Sequence, residues 1–227
     1  MPGSSAKYPK MPKSALIAGS TGLVGSDCLQ FLLASPEYAS VTALVRKGSG
    51  ISHPKLLEQL VDFESLGNFP GSDDVFCALG TTIKKAGSQP AFRRVDLEYP
   101  LLLAERSLTA GAKQFLLVSS VGANAKSGNF YLHTKGELED ALQRLPFVSL
   151  HIFRPSFLVG ERKEKRTGEH LGMVLAEALK FTMVGALRKY RSIRAATVAQ
   201  AMVKAAALGN TGVHIYEHDD ILRLAEV

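Results

Sequence analysis

A tyrosine and a lysine stand four residues apart in the stretch YLHTK, at Tyr131 and Lys135, and Ser120 ends an apolar run eleven residues before the tyrosine. These side chains suit the proton half of a carbonyl reduction. Such a reaction needs a hydride and a proton, and a nicotinamide dinucleotide supplies only the hydride. A phenol can give the proton, although an unperturbed phenol titrates near about 10. A neighbouring ammonium favours the phenolate and brings that value toward the working range. A serine hydroxyl can hydrogen-bond the substrate oxygen and hold it in line. Residues i and i+4 share one face of a helix, so Tyr131 and Lys135 would point together toward the end of the run that holds Ser120. Taken alone, the spacing also fits a half-buried aromatic and a snorkelling lysine on an ordinary amphipathic helix. The elements around it decide.

Short apolar runs alternate with helix-like patterns along the chain. The strand-like runs are SALIAGS at 14–20, VTALVRK at 41–47, one in LEQLVDF ending near Asp62, DDVFCALG at 73–80, QFLLVSS at 114–120 and VSLHIFRPS at 148–156, which Pro155 stops. Between them lie LVGSDCLQFLLAS with helical spacing, a long helix-like stretch over 90–110, and a helix around 131–145. Strands that read as continuous apolar runs imply a parallel sheet covered on both faces. Right-handed crossovers then give an α/β fold with a doubly wound parallel sheet, the Rossmann arrangement. We expect one domain over residues 14–227, preceded by a disordered basic tail over 1–13. Residues 156–227 hold a charged loop, helices near 168–180 and 197–208 and a strand near 212–218. They are expected to add a small substrate lobe over the carboxyl ends of the strands.

The first strand runs into GSTGLVG, which places Gly19, Gly22 and Gly25 in a G-x-x-G-x-x-G spacing. Gly19 allows the tight turn, Gly22 lets the backbone approach a pyrophosphate, and Gly25 lets the helix pack on the sheet. With Ser20, Thr21, Leu23 and Val24 this turn forms the start of a helix, whose free N–H groups and positive dipole end suit phosphates. A site built for NAD places an acidic residue at the end of the second strand. This chain has Arg46 and Lys47 there and no carboxylate. Arg46 can fork onto a 2′-phosphate, so NADP(H) is the expected cofactor. Asp62 and Phe63 follow the third strand, near the place for an adenine, although Asp62 fits a helix N-cap equally well. Ala78, Leu79, Gly80 and Thr81 follow the fourth strand and are expected along the ribose and pyrophosphate.

Composition narrows the partners. Two cysteines, Cys28 and Cys77, form no disulfide framework and no C-x-x-C metal site, so no metal is expected and a reducing cytoplasmic compartment is the default. The net charge of +6 comes from scattered basic residues, and the densest run, ERKEKR at 161–166, is mixed with Glu161 and Glu164. This argues against nucleic acid and suits a positive cleft for an anionic cofactor. No apolar run approaches the roughly 20 residues that span a bilayer.

Taken together, these stretches resemble the short-chain dehydrogenase/reductase superfamily. Within it they are similar to an atypical branch, the Tat-interacting-protein-like NADPH-binding proteins. VDFE, CALGTT, KAG, RRVD, SSVGAN, NFYLHTKGE, FRP and RTGEH carry the resemblance in that order, within residues 14–170. It implies Tyr131 as acid/base, Lys135 on the nicotinamide ribose, and Ser120 orienting the substrate, with Ser119 the alternative. It also places Arg154, Pro155, Ser156 and Leu158 beside the nicotinamide. Many relatives carry an asparagine on the helix after the fourth strand, where this chain has Asp96. An ionised aspartate accepts but does not donate, so a proton relay there is in doubt and a structural role is open. The implied function is an NADPH-dependent oxidoreductase that reduces a carbonyl compound, acting as a monomer or homodimer on a small-molecule substrate. Two alternatives stay open. One is an NADPH-binding regulatory or interaction protein with little turnover and a protein partner. The other is a sugar-nucleotide epimerase, for which the chain is short.

Overall fold

The computed structural model describes residues 12–160 and 185–226. Most of the basic tail, the ERKEKR run with Arg162, the RTGEH motif and the helix expected near 168–180 lie outside them. The described elements are, in order, β1 (Lys13–Ala18), α1 (Leu23–Ala34), β2 (Tyr38–Val45), β3 (Leu56–Leu60), β4 (Asp74–Cys77), α2 (Ile83–Ala86), α3 (Gln89–Arg93), a π turn (Arg94–Glu98), α4 (Tyr99–Thr109), β5 (Gln114–Val118), α5 (Phe130–Leu142), β6 (Ser149–Phe153), β7 (Leu158–Val159), a 3-10 turn (Gly185–Tyr190), β8 (Ile193–Arg194), α6 (Ala195–Leu208), β9 (Gly212–Tyr216) and α7 (His218–Glu226). Seven strands form one sheet in the order β3-β2-β1-β4-β5-β6-β9, and every pairing is parallel. The chain reverses direction of travel between β1 and β4, the crevice where such sheets bind ligands at their carboxyl ends.

Alternation along β1 shows how the strands serve two cores. Ala15 and Ile17 join one apolar cluster with Val24, Cys28 and Leu29 of α1 and Val198 and Met202 of α6. Leu16 and Ala18 join the other, with Leu103 of α4 and Leu138 and Leu142 of α5. Burying a side chain of this size is worth about 1.5–3 kcal/mol, so both faces hold helices against the sheet. Lys13, placed in the tail by the sequence reading, opens β1 because its ammonium meets the buried Asp74 carboxylate at 3.0 Å. The same carboxylate accepts from Tyr38 Oη at 2.8 Å and Gln114 Nε2 at 2.9 Å. Tyr38, the buried tyrosine among the described residues, is thus tied into a knot at the amino ends of β2, β4 and β5, away from the carboxyl-end crevice.

The single helix expected over 90–110 is divided. Pro100 has no N–H to give the carbonyl of residue 96. The chain takes a π turn there instead, in which Tyr99 N–H reaches back to the Arg94 carbonyl. Asp96 sits inside this turn. The C-terminal residues serve two ends. The helix α6 packs on α1, β9 extends the main sheet beside β6, and α7 packs on α6. Beyond the carboxyl end of β6, β7 and β8 form a separate two-stranded parallel ribbon, pairing Leu158 with Ile193 and Val159 with Arg194.

Candidate functional site

The turn after β1 needs its glycines. Gly19 has φ +88, and a Cβ there would stand 2.5 Å from the Ala78 carbonyl oxygen. A Cβ on Gly25 would stand 2.0 Å from the Gly19 oxygen, so the first turn of α1 packs directly on the loop. Gly22 is the N-cap of α1, has no side-chain cap, and is followed by a first turn without acidic residues. Ser20 and Val24 face inward, whereas Thr21 and Gly22 are exposed. The outer face of the turn therefore offers backbone N–H groups and no carboxylate, a cradle that fits a pyrophosphate. Leu23 closes its far side, lying against Gly160, where a Cβ would stand 2.8 Å from the Leu23 side chain.

Arg46, the first residue after β2, is exposed and makes no ion pair among the described residues. Asp62 follows β3 and accepts from Glu64 N–H at 3.0 Å, so its carboxylate caps its own turn. Phe63 is buried and stacked on Tyr99 at 5.7 Å, which leaves its backbone for a ligand. Ala78 and Leu79 leave β4 against the glycine turn, Gly80 lies beside Asp96 and Lys135, and Thr81 N–H donates to Asp96 Oδ2 at 2.8 Å.

Tyr131 and Lys135 lie on α5, which Asn129 starts by accepting from Leu132 N–H at 3.1 Å. Tyr131 is half-buried with its ring 5.6 Å from that of Phe92. Lys135 is buried, and its Nζ lies 2.7 Å from Asp96 Oδ1. Burial alone penalises the ammonium, but Asp96 and Tyr131 act against that penalty, and the net effect raises the Lys135 pKa. The loop from Ser120 is folded onto the same helix. Ala123 N–H donates to the Ser120 carbonyl, Asn124 N–H donates to the Leu132 carbonyl, and a Cβ on Gly136 would collide with Ala125 N at 2.1 Å. Gly136 is thus what lets this loop cross α5, and the sequence reading missed it; a glycine inside a helical pattern was its signal.

The two serines part company. Ser119 is buried and donates its hydroxyl to Glu139, which also pairs with Arg154 through Nε at 3.1 Å and through Nη2. Ser120 is half-buried, with one long contact of 3.4 Å to the Val121 carbonyl. Among the described residues, Ser120 is the serine of the two whose hydroxyl has no strong side-chain partner. Downstream of β6, Arg154 is engaged by Glu139, Ser156 donates to the Arg191 carbonyl, and Leu158 packs into the core. Val121 N–H binds the Pro155 carbonyl at 2.9 Å, which joins this segment to the Ser120 loop. His133 turns away toward Glu137 at 3.5 Å. Cys77 lies beneath the site, fully buried, and burial pushes its thiol up to about 11.

No family model matches the chain. Among curated proteins it is 39% identical to rat HTATIP2 over 166 residues, 70% of this chain and 68% of that protein. It is 36% identical to the mitochondrial protein FMP52 of Candida albicans over 226 residues, 93% of this chain and 98% of that protein. Among solved structures, human epimerase family protein SDR39U1 with NADPH superposes with TM-score 0.61 at 21% identity, covering 90% of this chain and 74% of that one. MoeE5 with UDP-glucose and NAD gives 0.66 at 16%, covering 94% and 81%. The UDP-N-acetylglucosamine 4-epimerase of Methanobrevibacter ruminantium gives 0.67 at 16%, covering 96% and 81%. Helices and sheet are thus those of a dinucleotide-binding fold whose members hold NAD or NADPH.

The cytoplasmic compartment expected from the thiols does not stand, because the FMP52 proteins of several fungi are mitochondrial. Two free, buried cysteines argue against a disulfide-forming compartment but do not choose among reducing ones. With its glycine cradle, its Tyr-Lys helix and this identity over nearly its whole length, the chain belongs to the family of HTATIP2 and FMP52, and it shares the NAD(P)(H)-binding fold of the atypical short-chain dehydrogenase/reductases.

Proposed function

We propose that the protein is an NADPH-dependent oxidoreductase that reduces a carbonyl compound, with Tyr131 as its proton donor. The observation that carries this reading is the α5 face on which Tyr131 and the buried, Asp96-paired Lys135 interact, with the Ser120 loop folded against the same helix. In it, Ser120 hydrogen-bonds the substrate oxygen, Tyr131 delivers the proton to that oxygen, and Lys135 holds the ribose and supplies positive charge beside the phenol. Residues 19–25 hold the pyrophosphate and the 78–81 segment the neighbouring ribose. A reduced nicotinamide dinucleotide bound there supplies the hydride. Phe92 packs against the Tyr131 ring, and the Pro155 carbonyl holds the Ser120 loop through Val121 N–H.

The preference for NADPH rests on Arg46, exposed and free of ion pairs among the described residues where an NAD site would place a carboxylate. Titration with both reduced cofactors tests it: NADPH should bind about tenfold or more tightly than NADH, and Arg46→Glu should reverse the order. Equal affinities sink the preference. The oxidoreductase reading is tested on a panel of aldehydes and ketones, followed by NADPH absorbance. Tight NADPH binding with no turnover on any member overturns it. The compartment carried over from the FMP52 proteins is the mitochondrion, which fractionation of cells expressing the full chain tests.

A further inference from the structure

The carboxylate of Asp96 is shared between two donors. Its Oδ1 lies 2.7 Å from Lys135 Nζ, and its Oδ2 accepts from Thr81 N–H at 2.8 Å. The Asp96 side chain is 1% exposed and that of Lys135 5%, so water replaces neither partner. Both neighbours can only donate, so the position requires two acceptors. An asparagine has one acceptor and one donor, and would set its NH2 group against either an ammonium or a backbone N–H. Gly80 belongs to the same arrangement: a Cβ there would stand 3.4 Å from Asp96 Oδ1 and 3.9 Å from Lys135 Nζ. Asp96 is delivered by a π turn, a local irregularity frequent at functional sites. Among the described residues, the groups around the ammonium are Tyr131 on its own helix, Asp96 on the π turn, Cys77 at the end of β4 and Gly80 just after it.

We infer that Asp96 is a positioning residue of this site: its carboxylate ties the Lys135 ammonium to the Gly80–Thr81 backbone, so that the lysine and the loop along the cofactor are held as one unit. The inference rests on the dinucleotide-binding part of the function proposed above and is independent of which carbonyl is reduced. It assigns to an aspartate a task that an amide at the same place cannot perform. In this arrangement the ammonium meets the cofactor ribose from a fixed point instead of sampling the several rotamers open to an unpaired lysine.

The test is a double-mutant cycle read by the affinity for reduced dinucleotide, measured by fluorescence with whichever of NADPH and NADH the wild type binds more tightly, beside thermal unfolding. Asp96→Asn should weaken binding about tenfold, whereas in a Lys135→Met background the same change should alter it less than about twofold, because Asp96 acts through Lys135. Equal loss in both backgrounds, or no loss in the wild-type background, overturns the inference. If Asp96→Asn does not fold, Asp96→Glu replaces it in the cycle. That variant keeps the charge and both acceptors but shifts them by one methylene, and wild-type affinity in it overturns the inference. Because affinity is the readout, a panel with no turnover would sink the carbonyl reading and leave this result standing on its own.

Discussion

Arg154, just after β6, and Glu139, on α5, form an ion pair in which the carboxylate is 2% exposed and the guanidinium side chain 22%. The Ser119 hydroxyl donates to the same carboxylate. The hydrogen bonds from Arg154 to Glu139 hold the guanidinium protonated, outweighing partial burial. The triad clamps α5 to the ends of β5 and β6, and so fixes the helix that carries Tyr131. Arg154→Met would leave a buried carboxylate with Ser119 as its remaining side-chain donor among the described residues. We expect a loss of about 3–5 kcal/mol in urea unfolding. Affinity for reduced dinucleotide in the folded fraction should change little, which would separate this arginine from the cofactor contacts.

Because Glu139 occupies Ser119, the two neighbouring serines should respond differently. Ser119→Ala removes a donor to a buried carboxylate and should cost about 1–3 kcal/mol of stability. Ser120→Ala should leave stability within about 0.5 kcal/mol and lower kcat about a hundredfold, as expected for loss of a hydrogen bond to the developing oxyanion. Paired unfolding and turnover measurements check both. The reverse pattern would move the substrate contact to Ser119.

Tyr131→Phe keeps the ring against Phe92 and removes only the hydroxyl. Turnover should fall by about two to four orders of magnitude. Cofactor affinity should stay within about twofold, since the task proposed for the phenol is toward the substrate. A variant that turns over at the wild-type rate would remove Tyr131 from the mechanism.

The glycine turn and the sheet were legible in the sequence because both depend on local constraints. Gly19 answers to its own positive φ and Gly25 to the Gly19 carbonyl six residues before it, and continuous apolar runs report two-sided burial. What could not be read depends on partners far along the chain. Asp96 meets Lys135 only because Pro100 breaks the helix and a π turn swings the carboxylate inward. Glu139 looks like any charged residue of a helix until Ser119 and Arg154 close on it. The 212–218 run reads as a strand, but its place beside β6 is set by register, Phe153 against Tyr216, which no local pattern encodes.

Gly25→Ala puts a methyl into the Gly19 carbonyl, a backbone atom that cannot rotate away. The loop must shift outward, and with it the N–H groups proposed to hold the pyrophosphate. We expect a loss of about 1–3 kcal/mol from overpacking, together with at least tenfold weaker dinucleotide binding. Alanine at Gly128, where a Cβ meets nothing within 4 Å, is the control that should change neither.

His151 should make the fold acid-sensitive. It is fully buried on β6, its Nε2 is 2.7 Å from Ser149 Oγ and its Nδ1 3.0 Å from Tyr216 Oη on β9. The Ser149 hydroxyl donates onward to the Asn210 carbonyl, so it accepts from Nε2–H, and Tyr216 donates to Nδ1. Both ring nitrogens are thus satisfied in the neutral form. Burial first, and then the positive charges of His214 and Lys13, lower its pKa from 6.5 to about 4. Between those values the unfolded chain binds a proton that the folded chain refuses. Stability is therefore complete above pH 6.5 and falls as pH drops toward about 4, at no more than about 1.4 kcal/mol per pH unit for this group. Urea unfolding at a series of pH values should show this slope, and His151→Gln, which cannot titrate, should flatten it. The glycine turn, Asp96, Ser120, Tyr131 and Lys135 take no part in this network, so dinucleotide affinity of the folded protein at pH 7 should be the same in both proteins. A slope that persists undiminished in His151→Gln would assign the acid sensitivity to other groups.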